Sequence, residues 1–339
     1  MKVKTVLIVC AILFQVLSVA SIVVSSENIL STGKQVILQT APVDPRDIFK
    51  GDYVKLDYTF SAITNQQLEK SIRQQGLKKG QKVYLSMDIQ NDGTAWAKKL
   101  FIDPPEGEFY LAGYVKSHWP YQGYVKNQHK EGMSSSTKHP VYVKFGIEKY
   151  FVQQGEGLVM EEIRGTRDSF QVPMLIRVAV SDKGEALIHS FEWANIALKT
   201  EVIREAESGA EDNQASAIIR FTIMNKSEKS ITLPLKQHNC SFQLIPTSGN
   251  PQSADNFAFE RPECSNISTT DITLKTDEIF TVEFDLNQPQ WRINFKNQPT
   301  PIGRLPFEYR YRISYEGDII EGINVKIESS AFHGRGNID

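Results

Sequence analysis

Cysteine is scarce in this chain, with three among 339 residues. Cys10 falls in an apolar run, which leaves Cys240 and Cys264, and with no C-x-x-C pair nothing has the spacing of a zinc site. Histidine is sparse and scattered over positions 118, 129, 139, 189, 238 and 333, so no metal or other cofactor is expected. His129 and His139 flank a polar loop (Asn127 to Lys138) and read as solvated side chains. An excess of basic charge is missing as well. Against 40 Asp and Glu stand 38 Lys and Arg, and no five-residue block is wholly basic. That balance excludes the electrostatic footprint of a nucleic-acid binder. G-x-S-x-G, H-E-x-x-H, a P-loop and an EF-hand loop are all absent, which removes the commonest signatures of catalysis and calcium binding. No internal repeat is found.

What is present begins at the N-terminus. Lys2 and Lys4 precede an uncharged run of twenty residues from Thr5 to Val24, followed by Ser25, Ser26 and Glu27. As a helix this run would reach about 30 Å, the thickness of a hydrocarbon core. Residues 1–26 therefore read as a membrane anchor or uncleaved signal. The two lysines stay on the cytoplasmic side, and the bulk of the chain lies in the periplasm or at the cell surface. The alternative is cleavage after Ala20, where Ser18 and Ala20 offer an A-x-A-like site. The apolar run is longer than a signal peptide needs, and cutting there would leave Ile22, Val23 and Val24 at a new terminus. In an oxidising compartment Cys240 and Cys264 are expected to pair, a bridge worth roughly 3 kcal/mol for a loop of about 25 residues. Two separate buried thiols are the alternative. Asn225, Asn239 and Asn266 match the N-x-[ST] sequon, a number near chance for this composition.

An apolar fraction of 40% and a charged fraction of 23% are those of a folded protein. Beyond the anchor, β-branched and aromatic runs separated by Gly, Pro, Asn and Asp predict strands at Val36 to Thr40, Asp52 to Phe60, Lys82 to Asp88, Glu108 to Lys116 and Val141 to Val152. Helices are predicted at Ala62 to Gln75, and at Gly157 to Arg167 with Leu158, Met160 and Ile163 on the inner face and Glu161, Glu162, Arg164 and Arg167 outside. A hairpin joins Val172–Val180 to Ala186–Ser190 through Asp182-Lys183-Gly184. Residues 27–199 thus form a β-rich α+β domain and 200–214 an acidic linker. Residues 215–330, with regular short strands ending in a pass from Asp318 to Glu328, form an antiparallel Ig-like β-sandwich. Residues 331–339 read as a disordered tail. The predicted fold is mainly β behind one transmembrane helix.

Ala41 to Tyr58 reads APVDPRDIFKGDYVKLDY. Gly51, Asp52, Tyr53, Leu56 and Tyr58 match G-D-Y-x-x-L-x-Y letter for letter. With Pro42 to Asp47 upstream (including Asp44, Pro45, Arg46 and Asp47) and Phe145 to Phe151 downstream (including Gly146, Glu148 and Tyr150), Met1 to Trp193 resembles the GDYXXLXY family of bacterial membrane-associated proteins. The resemblance implies no established activity; genes for such proteins often neighbour those of multi-spanning membrane proteins, which implies a partner in the envelope. The region after Gln214 is similar to Ig-like sandwich domains of the BsuPI proteinase-inhibitor type, through Asn225, Ser227 and Leu274 to Leu286.

The signature has its own physical reading. Pro42 and Pro45 hold the preceding residues extended, Asp44 and Asp47 form turns around Arg46, and Gly51 with Asp52 makes a tight entry into a strand. Alternation places Val54, Leu56 and Tyr58 on the core face and Tyr53, Lys55 and Asp57 opposite. Two readings follow: an over-determined turn and strand entry, or a binding groove in which Tyr53 makes contact. The functional expectation is a non-catalytic interaction or scaffold module for an envelope membrane-protein complex. One alternative is an inhibitor-like or carbohydrate-binding module using the aromatics Trp291, Phe295, Phe307, Tyr309, Tyr311 and Tyr315. Another is an envelope hydrolase built on carboxylates from Asp44, Asp47, Asp52 or Glu148. A signal-peptidase-like Ser/Lys mechanism lacks its Ser-Met-x-Pro nucleophile.

Overall fold

The computed structural model describes residues 2–40, 53–58, 60–63, 67–116, 141–153, 155–166, 168–204, 217–248, 264, 268–288, 291–295, 298–305, 309–316, 325–336 and 338. Helix α1 (Lys2–Thr32) carries the apolar run and continues six residues beyond the expected anchor. Nothing in Ser25–Thr32 breaks a helix, and the Ser31 and Thr32 hydroxyls donate back to the Glu27 and Asn28 carbonyls at 2.7 Å. From Val6 to Thr32 the helix is long and apolar enough to cross a membrane, and its most apolar window is unburied by the rest of the chain. One residue, Gly33, separates it from β1 (Lys34–Gln39). A Cβ there would lie 2.4 Å from the Ile29 carbonyl oxygen and 3.0 Å from that of Val180, so only glycine lets helix and sheet meet this closely.

The N-terminal half contains β2 (Tyr53–Lys55), β3 (Ala62–Ile63), α2 (Lys70–Gln75), β4 (Lys82–Ile89), β5 (Ala95–Phe101), β6 (Tyr110–Val115), β7 (Val141–Lys144), β8 (Lys149–Phe151), α3 (Glu156–Arg164), β9 (Met174–Val180) and β10 (Ala186–Trp193). A five-stranded sheet runs β3-β7-β6-β4-β5, a three-stranded one β1-β9-β10, and β2 pairs with β8. The C-terminal half contains β11 (Ile196–Arg204), β12 (Ile218–Asn225), β13 (Ile231–Lys236), β14 (Phe242–Ser248), β15 (Thr269–Leu274), β16 (Ile279–Asp285), β17 (Arg292–Phe295), β18 (Gln298–Pro301) and β19 (Arg310–Tyr315). Its sheets are β11-β12-β16, β13-β15, β14-β19 and β17-β18. Pairing between the described strands is antiparallel throughout, as the predicted mainly-β class requires.

Two apolar cores share one wall. Val36, Leu38, Met174, Ile176 and Val178 point into the N-terminal core, whereas Ile37 and Leu175, of opposite parity, belong to the C-terminal one. The β1-β9-β10 sheet is therefore covered on both faces, which explains why residues 36–38 and, on either side of Arg177, residues 174–176 and 178–180 are unbroken apolar stretches rather than alternating ones. Polar bonds stitch the same seam. The Gln39 side-chain amide donates to the Lys326 carbonyl at 2.8 Å and accepts from the Lys326 N–H at 2.7 Å. The Ser330 hydroxyl donates to the Gln171 side-chain oxygen at 3.2 Å.

Several expectations are corrected. Residues 200–204 are not linker: β11 runs through them, paired with β12. Thr200 is buried and Val202 packs on the C-terminal core, while Glu201, the one acidic residue of this stretch, points the other way; residues 205–214 lie outside the described residues. Residues 331–339 are not a free tail, because Phe332 and His333 are buried and Phe332 bridges Tyr311; 337 and 339 lie outside the described residues. The helix predicted at Ala62–Gln75 shrinks to α2, since Ala62 and Ile63 pair with β7 instead. The strand predicted over Val141–Val152 breaks at Phe145–Glu148, where Gly146 takes φ +89°. In α3 the inner face is Met160 with Arg164, and Leu158, Val159 and Ile163 are exposed. The final pass is described only from residue 325, with Glu328 bridging Ser314.

Candidate functional site

The two halves of the sequence signature meet in space. In the β2–β8 ribbon Tyr53 faces Phe151, Val54 faces Tyr150 and Lys55 faces Lys149, and the Leu56 N–H continues the ladder by donating to the Glu148 carbonyl at 2.9 Å. Alternation is obeyed: Val54, Leu56 and Tyr58 are all buried. Tyr58 is held on three sides. Its hydroxyl donates to the Ile147 carbonyl at 2.7 Å, its backbone bridges Thr40 at the end of β1, and its ring stacks on Phe60 at 5.2 Å between centroids. Glu148 closes the turn between β7 and β8, its carboxylate accepting the N–H groups of Phe145 and Gly146. Tyr150 packs edge-on against Phe191 of β10 at 5.1 Å. Leu56, Tyr58, Gly146, Glu148 and Tyr150 thus build the ribbon and fix it to the domain. Asp44, Pro45, Arg46, Asp47, Gly51 and Asp52 lie outside the described residues.

Burial holds the Tyr58 phenol well above the ordinary tyrosine value, and the Glu148 charge pushes the same way. Because the folded pKa lies above the unfolded one, the stabilisation is complete below about pH 10 and is lost as pH rises further. Unfolding free energy should therefore fall above about pH 10, and fall less steeply in Tyr58→Phe. Denaturant titrations at pH 8 to 11 test this, and equal slopes for the two proteins would refute it. Tyr311, raised by burial and then by Tyr309, leaves a residual slope in the variant.

The outward face of the ribbon differs from the rest. Lys55 and Lys149 stand directly opposite one another, a like-charge pairing that weakens a sheet. Among the described residues neither has a carboxylate partner. The Lys149 ammonium lies 4.2 Å from the centre of the Tyr53 ring, and Tyr53 packs against Phe151 at 6.0 Å. Phe151 itself is 73% exposed. Five residues along the chain from it, α3 begins, presenting Leu158, Val159 and Ile163 to solvent. Arg164 fixes that helix to the ribbon: its Nη1 donates to the Lys55 carbonyl at 3.2 Å while the buried Nη2 has no partner. Burial lowers the Arg164 pKa, opposed by the charges of Asp57 and Glu161. Two ammonium groups, two aromatic faces and an apolar helix stripe suit binding of apolar and anionic groups. Sequence reasoning singled out Tyr53 but missed Lys55, Lys149, Phe151 and the α3 stripe. Their signal was the strand parity of KYF combined with a register that the sequence does not give.

The other predicted sites read differently. Cys240 and Cys264 are bonded, with Cα atoms 5.4 Å apart. Trp291, Tyr309 and Tyr311 are buried in the C-terminal core and offer no sugar platform; Phe307 lies outside the described residues. Asn225 is fully buried, its amide donating to the Lys229 and Leu274 carbonyls and its oxygen accepting from Ser227, so this sequon is a turn staple. Among the described residues no group of three His, Cys, Asp or Glu side chains is placed to hold a metal.

No curated protein and no solved structure matches the chain. A family model described as "GDYXXLXY protein" matches residues 15–191, from within α1 to β10, and so takes in the ribbon, α3 and the shared wall. That match extends over just over half of the sequence, and the chain belongs to the GDYXXLXY family.

Proposed function

We propose that this protein is a membrane-anchored, extracytoplasmic, non-catalytic interaction module, whose contact face is the outward side of the β2–β8 ribbon with the exposed stripe of α3. The observation that carries the reading is the Lys55–Lys149 pair beside Tyr53 and the exposed Phe151. A fold that leaves like charges opposed and aromatics uncovered gains by having that face occupied. The anchor is α1, uncharged between Lys4 and Glu27, with the lysine-bearing end retained on the cytoplasmic side. The disulfide supports an oxidising compartment for the rest of the chain. The partner is a membrane protein of the same envelope. Because Gly33 alone separates α1 from β1, the module is held close to the bilayer, which suits contact with a neighbouring membrane protein.

The test is photocrosslinking in intact membranes from a probe at Phe151, compared with one at exposed Ile279 in the C-terminal half. A reproducible membrane-protein adduct is expected from position 151 alone. Tyr53→Ala and Lys149→Glu should each weaken capture roughly tenfold, as loss of a central contact does. Equal capture from both probes, or none from either, overturns the proposal. Hydrolysis by the purified chain that is lost in Asp52→Asn, with folding intact, would replace it with an enzymatic reading.

A further inference from the structure

The geometry of α1 points to a second copy of this chain as its neighbour in the bilayer: we infer that the helix forms a parallel dimer through a seam centred on Gln15. The inference rests on the membrane-anchor reading above. Gln15 lies near the middle of the uncharged run from Thr5 to Val24, where the hydrocarbon offers a side-chain amide no hydrogen-bond partner. The helix itself offers none either, since among the described residues the Gln15 amide has no partner and the residue is exposed. Ser18, the other polar residue close to it on that face, is already satisfied, donating to the Phe14 carbonyl at 2.8 Å. The unmet requirement is therefore that of one amide, with a donor and an acceptor.

The surroundings of Gln15 show what can meet it. Ile8, Gln15 and Ile22 are spaced by seven, and Ala11, Ser18 and Ser25 each follow one of them by three residues, so the six alternate in three- and four-residue steps. Those six positions make one stripe of a left-handed helix pair: β-branched residues at one core position, small residues at the other. A polar residue at the central core position is the device that fixes register and number of strands in such pairs. An amide is self-complementary. Across a two-fold axis each Gln15 can donate to the other's carbonyl oxygen and accept in return, so one residue satisfies both partners. Parallel orientation is required, because both chains insert with the same end on the same side. A helix with a charge at this position would reject its own copy; glutamine recruits it.

The seam is tested in native membranes with the full chain carrying Cys10→Ser and single cysteines introduced along α1. Oxidative crosslinking should give dimers from Ala11→Cys, Ser18→Cys and Ile22→Cys. Leu13→Cys, Leu17→Cys and Val24→Cys, on the opposite face, should give few. Adding Gln15→Leu should reduce the dimer fraction from the seam positions by about three- to tenfold, and Gln15→Asn should retain most of it. Resistance to alkaline extraction is measured in parallel and should be the same for all variants. Crosslinking independent of face, yields unaffected by Gln15→Leu, or adducts solely with a different protein each overturn the dimer while leaving the anchor intact. A mature chain found to begin after Ala20 would instead remove the anchor itself, and the seam with it.

Discussion

Leu56→Ala is expected to destabilise the protein by about 3 kcal/mol, three times or more the effect of Tyr53→Ala three residues earlier. Leu56 is fully buried in the N-terminal core, and its N–H holds the ribbon to Glu148. Truncation removes the transfer free energy of the side chain and leaves a cavity that the pinned neighbours Val54 and Tyr58 cannot fill. Tyr53 is half-buried and loses only an exposed contact with Lys149 and a ring contact with Phe151, worth about 1 kcal/mol together. Thermal unfolding of the two variants measures the difference, with a fall of roughly 6–12 °C for Leu56→Ala. If Tyr53→Ala proved the more damaging, the ribbon's outward face would be part of the core and the proposed contact surface would be lost. The two signature residues thus separate scaffold from surface within a single strand.

Removing the Cys240–Cys264 bridge, by reduction or by the paired Cys240→Ser and Cys264→Ser substitutions, should cost about 3 kcal/mol. The crosslink joins residues 24 apart in sequence, so it withholds a medium-sized loop's worth of freedom from the unfolded chain. Its value adds to that of a core already rich in aromatic contacts around Phe242, which lies against Phe221, Phe280, Phe284 and Tyr315. The C-terminal half should therefore remain folded when reduced but unfold at lower denaturant. Chemical unfolding with and without reductant measures this, and coincident midpoints would show that the bridge is incidental. Because the shared wall of β1, β9 and β10 feeds side chains into both cores, part of the loss should also register on probes in the N-terminal half.

The ribbon shows how far local pattern reaches. The alternation of Val54, Leu56 and Tyr58 against Tyr53, Lys55 and Asp57 is a property of any extended strand, and the burial of the first three follows it. That Lys55 would face Lys149 is not a local property. It depends on the register of two segments ninety residues apart, set by the Gly146 turn, by Glu148 capping that turn, and by Arg164 on the Lys55 carbonyl. The same limit explains α3. Its sequence satisfies a helical pattern with Leu158 and Ile163 inward, yet the helix turns Arg164 inward because the β2 carbonyl and the Asp57 charge are there to meet a guanidinium.

By itself the sequence determined what depends on neighbours along the chain. These are the apolar run that makes α1, the strand-rich class with its antiparallel hairpins, the inward face of the signature strand, and the family pattern. It also supplied the two cysteines whose pairing closes the C-terminal half. Only the tertiary structure decided what depends on segments distant in sequence. It ran β11 into the first five residues of the expected linker, buried Phe332 and His333 from the expected tail, and drew the aromatic stripe of the last strands into a core. It placed a single sheet between two cores and left two lysines opposed on an open face. The physical reason is the range of the forces: periodicity and turn chemistry act within a few residues, whereas burial is settled by whichever surface arrives to cover a side chain.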